Sequence, residues 1–262
     1  MNPRVGIVVP TLGQRPDYIE NCLSSIRAAG NAHIILVVPT SFNSQALLHK
    51  GLIDSMETDE GTGLAGAINK GIKSLPSTVE YVNWLGDDDL LTEGSLEITE
   101  QHLDSNPNEV MVFGACDYVD GDGHVLWTNK SGQWSVPLLR FGPDLIPQPG
   151  ALFRRTSFEA AGGLRTDLGW AFDFDLFIRL SKAGKVKYVN KTLAQFRWHP
   201  ESLSVEHRKK SVAEASKVRV SHLPTWLRSI SFLWEYPVQQ ATLIAGKRIT
   251  AKANAQSKAR TK

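Results

Sequence analysis

Tyr81-Val82-Asn83-Trp84-Leu85-Gly86-Asp87-Asp88-Asp89-Leu90 sets three carboxylates directly after an apolar run. A short run of aromatic and β-branched side chains reads as a buried strand, here over Glu80–Leu85. Adjacent like charges resist full ionisation unless a cation compensates them. Mg2+ and Mn2+ take oxygen ligands and keep phosphate oxygens in their shell. A carboxylate pair at a strand's carboxyl end therefore suits a metal–diphosphate site. The competing possibility is a solvated turn that caps the following helix, read over Leu90–Asp104.

Working outward, Val5–Pro10, Ile34–Pro39 and Val110–Ala115 are further apolar strands. Pro16–Ala29, with Ile19, Cys22, Leu23 and Ile26 at helical spacing, and Leu64–Ser74 are helices between them. This alternation predicts an α/β fold with a parallel sheet covered on both faces. Ligands bind such sheets at the carboxyl ends of the strands. Downstream, Asp117–Gln133 reads as a hairpin around Gly121–Gly123, and Pro137–Pro149 as a loop. Phe174–Ala183 is helical and Val186–Phe196 extended. Gly63–Gly71 lacks the Lys-Ser/Thr of a phosphate-cradling loop, so its small residues point to close helix packing.

Two later segments bear on chemistry. In Trp170-Ala171-Phe172-Asp173-Phe174-Asp175, two carboxylates sit among aromatic rings. Burial raises a carboxyl pKa, which suits Asp173 to general-base work; capping a helix is the alternative, and the better one for Asp175. Arg197-Trp198-His199 ends an extended segment. A neutral His can complete a metal site and an Arg can grip phosphate, although a surface strand end needs neither.

Taken in order, these segments resemble the family-2, inverting glycosyltransferases with the GT-A fold. The resemblance runs from about Arg4 to Ser204. It rests on Val8-Val9-Pro10-Thr11, Gly63–Ile72, Asn83–Leu90, Gln148–Arg155 with Gly162-Gly163-Leu164, Phe172–Leu180, and Arg197-Trp198-His199 with Ser202 and Ser204. It implies a single Rossmann-like mixed sheet flanked by helices. It implies Asp173 as base, and Asp89 and His199 as ligands of Mn2+ or Mg2+. Pro10, Thr11, Asp88 and Arg197 would contact the nucleotide, and Trp170 and Trp198 the acceptor. The donor would be a nucleotide-diphosphate sugar, UDP- or dTDP-linked, and the acceptor a glycan or lipid-linked glycan of cell-surface polysaccharide or glycolipid synthesis. The family's acid at the end of the second strand is missing from Val37-Val38-Pro39-Thr40-Ser41; Asp54 and Asp59 follow later. A sugar-nucleotide hydrolase or nucleotidyltransferase would share the acidic site, and a nucleotide-sugar-binding module would share the pocket.

Composition frames this. With 42% apolar and 21% charged residues over 262 positions, the chain is neither disordered nor polytopic. No apolar run reaches the roughly 18 residues of a spanning helix. Cys22 and Cys116 form no paired framework. Without a signal-type start at Met1-Asn2-Pro3-Arg4, a reducing cytoplasm is expected. The net charge of +2 conceals an asymmetry. Residues 208–262 hold 12 Lys/Arg against 2 Asp/Glu, and residues 1–207 hold 17 against 25. The expected organisation is a GT-A domain over 1–207, with a nucleotide half over about 1–115 and an acceptor half over about 116–207, and a basic helical tail over 208–262. Leu223, Trp226, Leu227, Ile230, Leu233 and Trp234 mark one helical face of the tail, interrupted at Pro237. That face suits an anionic membrane surface, peripheral at the inner leaflet, or packing against the body or a second copy. No nucleic-acid partner is expected.

Overall fold

A computed structural model of the chain describes residues 2–43, 45–198 and 207–260. The first strand, β1 (Val5–Pro10), is flanked by β2 (Ala32–Val38) and β4 (Tyr81–Trp84), both parallel to it. β3 (Ser55–Thr58) extends the parallel edge beyond β2. Alternate side chains of this unit feed two cores. Ile7, Val9, Ile34 and Leu36 pack under α1 (Pro16–Ala29) and α4 (Ser95–Ser105). Val8, Ile35, Val37 and Trp84 face α3 (Gly63–Ser74) and, further along, α7 (Phe172–Ala183). Both faces are covered, which is why the strands read as continuous apolar runs. Gly71 lets α3 lie close to the sheet, since a Cβ there would stand 2.5 Å from Val8 Cγ1.

The sheet is mixed rather than parallel throughout. With β5 at Leu90–Leu91, β6 at Glu109–Val119, β7 at Val125–Asn129, β8 at Leu152–Arg154 and β9 at Lys185–Arg197, its order is β3-β2-β1-β4-β8-β6-β9-β5, with β7 paired to β6. β8, read from sequence only as part of an acceptor-side segment, inserts antiparallel between β4 and β6. β9 runs parallel to β6, and β7 completes the expected hairpin. The helix expected from Leu90 begins later. Leu90 and Leu91 form β5, which pairs with Gln195 and Ala194 of β9. Gly94, at φ 70°, then turns the chain into α4. A left-handed residue suits glycine and resists helix, so the apolar pair goes to the sheet. The short α2 (Gln45–His49), α5 (Ser135–Leu138) and α6 (Arg155–Ala160) complete the helices before the C-terminal segment, and Phe158 of α6 joins the core.

The C-terminal segment forms α8 (Arg208–Ser221), α9 (Thr225–Arg228) and α10 (Phe232–Arg260). Pro237 does not interrupt it. The proline lies in the second turn of α10 and removes one amide donor while the helix continues. Nor do the six apolar residues share one environment: Leu223 is 4% exposed and Trp226 71%. Arg219 of α8 and Glu235 of α10 form a buried ion pair at 2.7 Å, and Ser216 also donates to Glu235. No helix among the described residues is long and apolar enough to cross a membrane.

Candidate active site

A cleft of about 770 Å3 opens at the carboxyl ends of β1, β2 and β4. Pro10, Thr11, Asp59, Asp87–Asp89, Gln148, Trp170 and Asp173 all line it. Asp87–Asp89 form the turn that leaves β4, and each carboxylate is held differently. The Thr11 hydroxyl donates to Asp87 at 2.5 Å and itself accepts from the Gly13 amide. Arg15, just before α1, pairs with Asp88 at 2.5 Å and with Asp87 at 3.6 Å. The Arg197 amide donates to Asp89 Oδ1 at 3.0 Å. Burial, with Asp88 and Asp87 adding their charge, pushes the Asp89 carboxyl well above the usual carboxylate range.

Gly86 has a specific reason to be glycine. A Cβ there would stand 2.9 Å from Asp88 Oδ1 and 3.2 Å from Asp89 Oδ2. These are the oxygens opposite those taken by Arg15 and the Arg197 amide, and both lie on the Gly86 side of the turn. Two hard oxygens beside a destabilised carboxylate fit a small divalent cation.

The remaining sequence candidates separate. Arg197 reaches the turn, but its guanidinium binds the carbonyls of Asp88 (3.1 Å) and Gly121 (2.6 Å) and lies 4.4 Å from the Tyr18 ring centroid. It stands 5% exposed and ties the acid turn to the β6–β7 hairpin rather than facing the cleft. Trp198 packs with Trp127 and Tyr118, outside the cleft lining, whereas Trp170 lines it. His199 lies outside the described residues. Asp120, Asp122 and His124 bring ligand atoms within 4.8 Å of one another, away from the cleft on the hairpin turn.

Asp173 stands in the first turn of α7, its Oδ1 accepting from the Phe174 amide at 2.8 Å. Burial raises its carboxyl to about 6. Sequence reasoning missed what surrounds it. Asp144 is half-buried nearby, and desolvation together with the charge of Asp173 holds its own carboxyl well above the ordinary range. Glu214, on α8, accepts from the amides of Gly169, Trp170 and Ala171 at 2.7–3.0 Å, capping α7 from another element. Asp175 turns away from the cleft. It is fully buried against Arg179 (2.7 Å) and His222 (2.8 Å). Burial alone would raise its carboxyl, but those partners hold it below the ordinary value. Of the two later acids offered for the missing strand-two residue, Asp59 lines the cleft, its amide bonded to Val38. Asp54 instead pairs with Arg27. Gln148, bonded to Asn83 and the Trp84 carbonyl, also lines the cleft; it opens the Gln148–Arg155 motif of the resemblance, which gave it no role of its own.

Comparison with known proteins gives this geometry a context. The uncharacterized protein y4gI of Sinorhizobium fredii (strain NBRC 101917 / NGR234) is 22% identical over 223 residues. The match covers 80% of this chain but only 24% of that protein, so the chain spans about a quarter of its length. S. aureus TarS in complex with UDP-GlcNAc superposes with a TM-score of 0.62 at 12% identity, over 87% of this chain and 69% of that one. The mannosyltransferase PcManGT from Pyrobaculum calidifontis, in complex with GDP-Man and Mn2+, superposes with a TM-score of 0.61 at 17% identity, over 98% and 81% of the two chains. These likenesses show a shared GT-A fold. The model of the glycosyl transferase family 2 matches residues 6–161, more than half of the sequence, and the chain belongs to that family.

Proposed function

We propose that this glycosyltransferase moves a sugar from a nucleoside-diphosphate donor to an acceptor hydroxyl in one inverting displacement. The observation that carries the reading is the placement of Asp173 and the Asp87–Asp89 turn in one cleft, with the Asp173 carboxyl raised to about 6. A carboxylate of that basicity still ionises at neutral pH, yet holds a proton better than a solvated one. Asp173 accepts the acceptor's proton as its oxygen attacks the anomeric carbon. The bond from that carbon to the diphosphate oxygen breaks on the opposite face, and the electron pair leaves with the diphosphate.

Asp88 and Asp89 would hold a divalent cation at the acid turn, with His199 as a further ligand. When bound, such an ion neutralises the charge that grows on the leaving diphosphate. Pro10, Thr11 and Asp59 wall the nucleotide end, and Trp170 the acceptor end. Arg197 positions the acid turn. The first half, to about residue 115, binds the nucleotide and the rest up to about 207 the acceptor, a glycan or lipid-linked glycan of the cell surface. Support for a sugar-nucleotide donor and for a metal comes from the fold shared with proteins solved with UDP-GlcNAc and with GDP-Man and Mn2+.

The test is a donor screen. The protein is incubated with Mn2+ or Mg2+ and a panel of UDP-, dTDP- and GDP-sugars, and thermal stabilisation selects the donor. A set of acceptors is then added, and the anomeric configuration of the product is read by NMR. Transfer with inversion is expected. Donor consumption without a glycoside would instead mark a hydrolase, and retention would remove Asp173 as base.

A further inference from the structure

Around the Arg219–Glu235 lock, several large apolar side chains stay exposed. Trp226 is 71% exposed, Phe232 67%, Leu233 63% and Tyr236 67%. Ile244 continues the stripe at helical spacing from Leu233 and Tyr236. The patch reaches the body of the protein, because the Phe141 ring, itself half exposed, lies 6.3 Å from Trp234. Single exposed apolar residues are ordinary on a protein surface, but a contiguous aromatic-rich patch marks an interaction surface.

Basic side chains border the patch, and the one acid in this stretch of helix, Glu235, is buried against Arg219. Arg228 sits among its residues on α9. After Ile244 the same helix continues into Lys247, Arg248 and Lys252. On the body side, Arg140 and Arg228 both bear electrostatically on Lys182. A second copy of the chain would bring this basic rim against itself, since a two-fold contact pairs identical surfaces. An anionic lipid surface complements it. Trp and Tyr favour the headgroup region, and each nearby cation adds attraction to anionic lipid.

We propose that α9 and α10 as far as Arg248 seat on an anionic lipid bilayer, with Trp226, Phe232, Leu233 and Tyr236 entering the headgroup layer and Lys247 and Arg248 meeting lipid phosphates. Part of the apolar face expected from sequence plays no role in this contact. Leu223 packs inward, and Trp234 sits against Phe141. The helix lies along the surface and does not span it.

The experiment is flotation of the full chain with vesicles of phosphatidylcholine alone and with added phosphatidylglycerol. Binding is expected only in the presence of phosphatidylglycerol, with affinity falling as salt rises. The variant W226S/F232S/L233S should bind at least roughly tenfold more weakly while keeping its melting temperature, because these side chains bury little in the folded chain. K247E/R248E should abolish the salt-sensitive part. Equal binding to neutral vesicles, no binding, or unchanged binding by the serine variant would overturn the proposal. So would a wild-type dimer, seen by light scattering, that the serine substitutions dissociate. None of these readouts uses turnover, so the assigned chemistry can fail without touching this result.

Discussion

Replacing Asp173 with Asn separates a catalytic carboxylate from a structural one. The folded protein holds the Asp173 proton up to about pH 6, whereas an ordinary aspartate releases it near 3.8. The difference corresponds to about 3 kcal/mol against ionisation, an upper bound because the cleft admits water. The sign follows from proton binding. Between about pH 4 and about pH 6 the native state carries the extra proton, so stability falls as pH rises through that window. Above it the full penalty is present in the wild type and absent from Asp173→Asn. The variant should therefore lose transfer by about 10²–10⁴-fold, the usual size of a general base's contribution. It should at the same time melt higher than wild type at about pH 8, by up to roughly 10 °C, at about 2–4 °C per kcal/mol for a domain of this size. The advantage should vanish near about pH 4. Scanning calorimetry against pH, beside the pH profile of kcat, reads both. An acid limb remaining near about pH 4, or a variant no more stable than wild type at about pH 8, would refute the reasoning.

Asp144 should behave differently. Asp144 does not line the cleft, so Asp144→Asn should leave kcat within about threefold of wild type, against the far larger loss expected of a general base. Loss of activity there, with Asp173→Asn active, would reverse the two roles. Gly86→Ala places a methyl against Asp88 Oδ1 and Asp89 Oδ2, and should raise the Mn2+ concentration needed for half-maximal activity by roughly tenfold with little change in melting temperature. Glu214→Ala leaves three amides at the start of α7 without their acceptor. It should cost about 2 kcal/mol by denaturant titration and lower kcat more than it raises KM.

The central strands were legible because burial on both faces leaves a continuous apolar signature, and β1 begins and ends where its apolar run does. The acid turn was legible for a similar reason: three consecutive carboxylates cannot continue a buried strand, so they must lie at its carboxyl end. What escaped depends on contacts distant in sequence. Leu90-Leu91 could extend a helix or pair with a strand, and only Gln195 and Ala194, over a hundred residues away, decide it. β8 is three residues long, too short for periodicity to register. Arg15, Asp144 and Glu214 stand in unremarkable local sequence, and their roles arise only when α1, the loop before β8 and α8 converge on the cleft. Arg197 shows the converse. Its motif drew attention to a guanidinium that the fold directs to backbone carbonyls.

The basic tail also braces the helix that carries the proposed base. α8 caps one end of α7 through Glu214, and His222, at the end of α8, meets Asp175 in the first turns of α7. The helix that carries Asp173 is thus held in place by residues C-terminal to the family match at 6–161. Deleting residues 222–262 would remove His222 from Asp175 and Glu235 from Arg219, leaving a guanidinium that is 2% exposed without its carboxylate. Breaking a buried pair on one side costs about 3–5 kcal/mol. A truncated chain that lost vesicle binding would therefore have lost part of that brace as well. Point substitutions on the outward face of α9 and α10 avoid that confusion, because the side chains they remove support nothing beneath them.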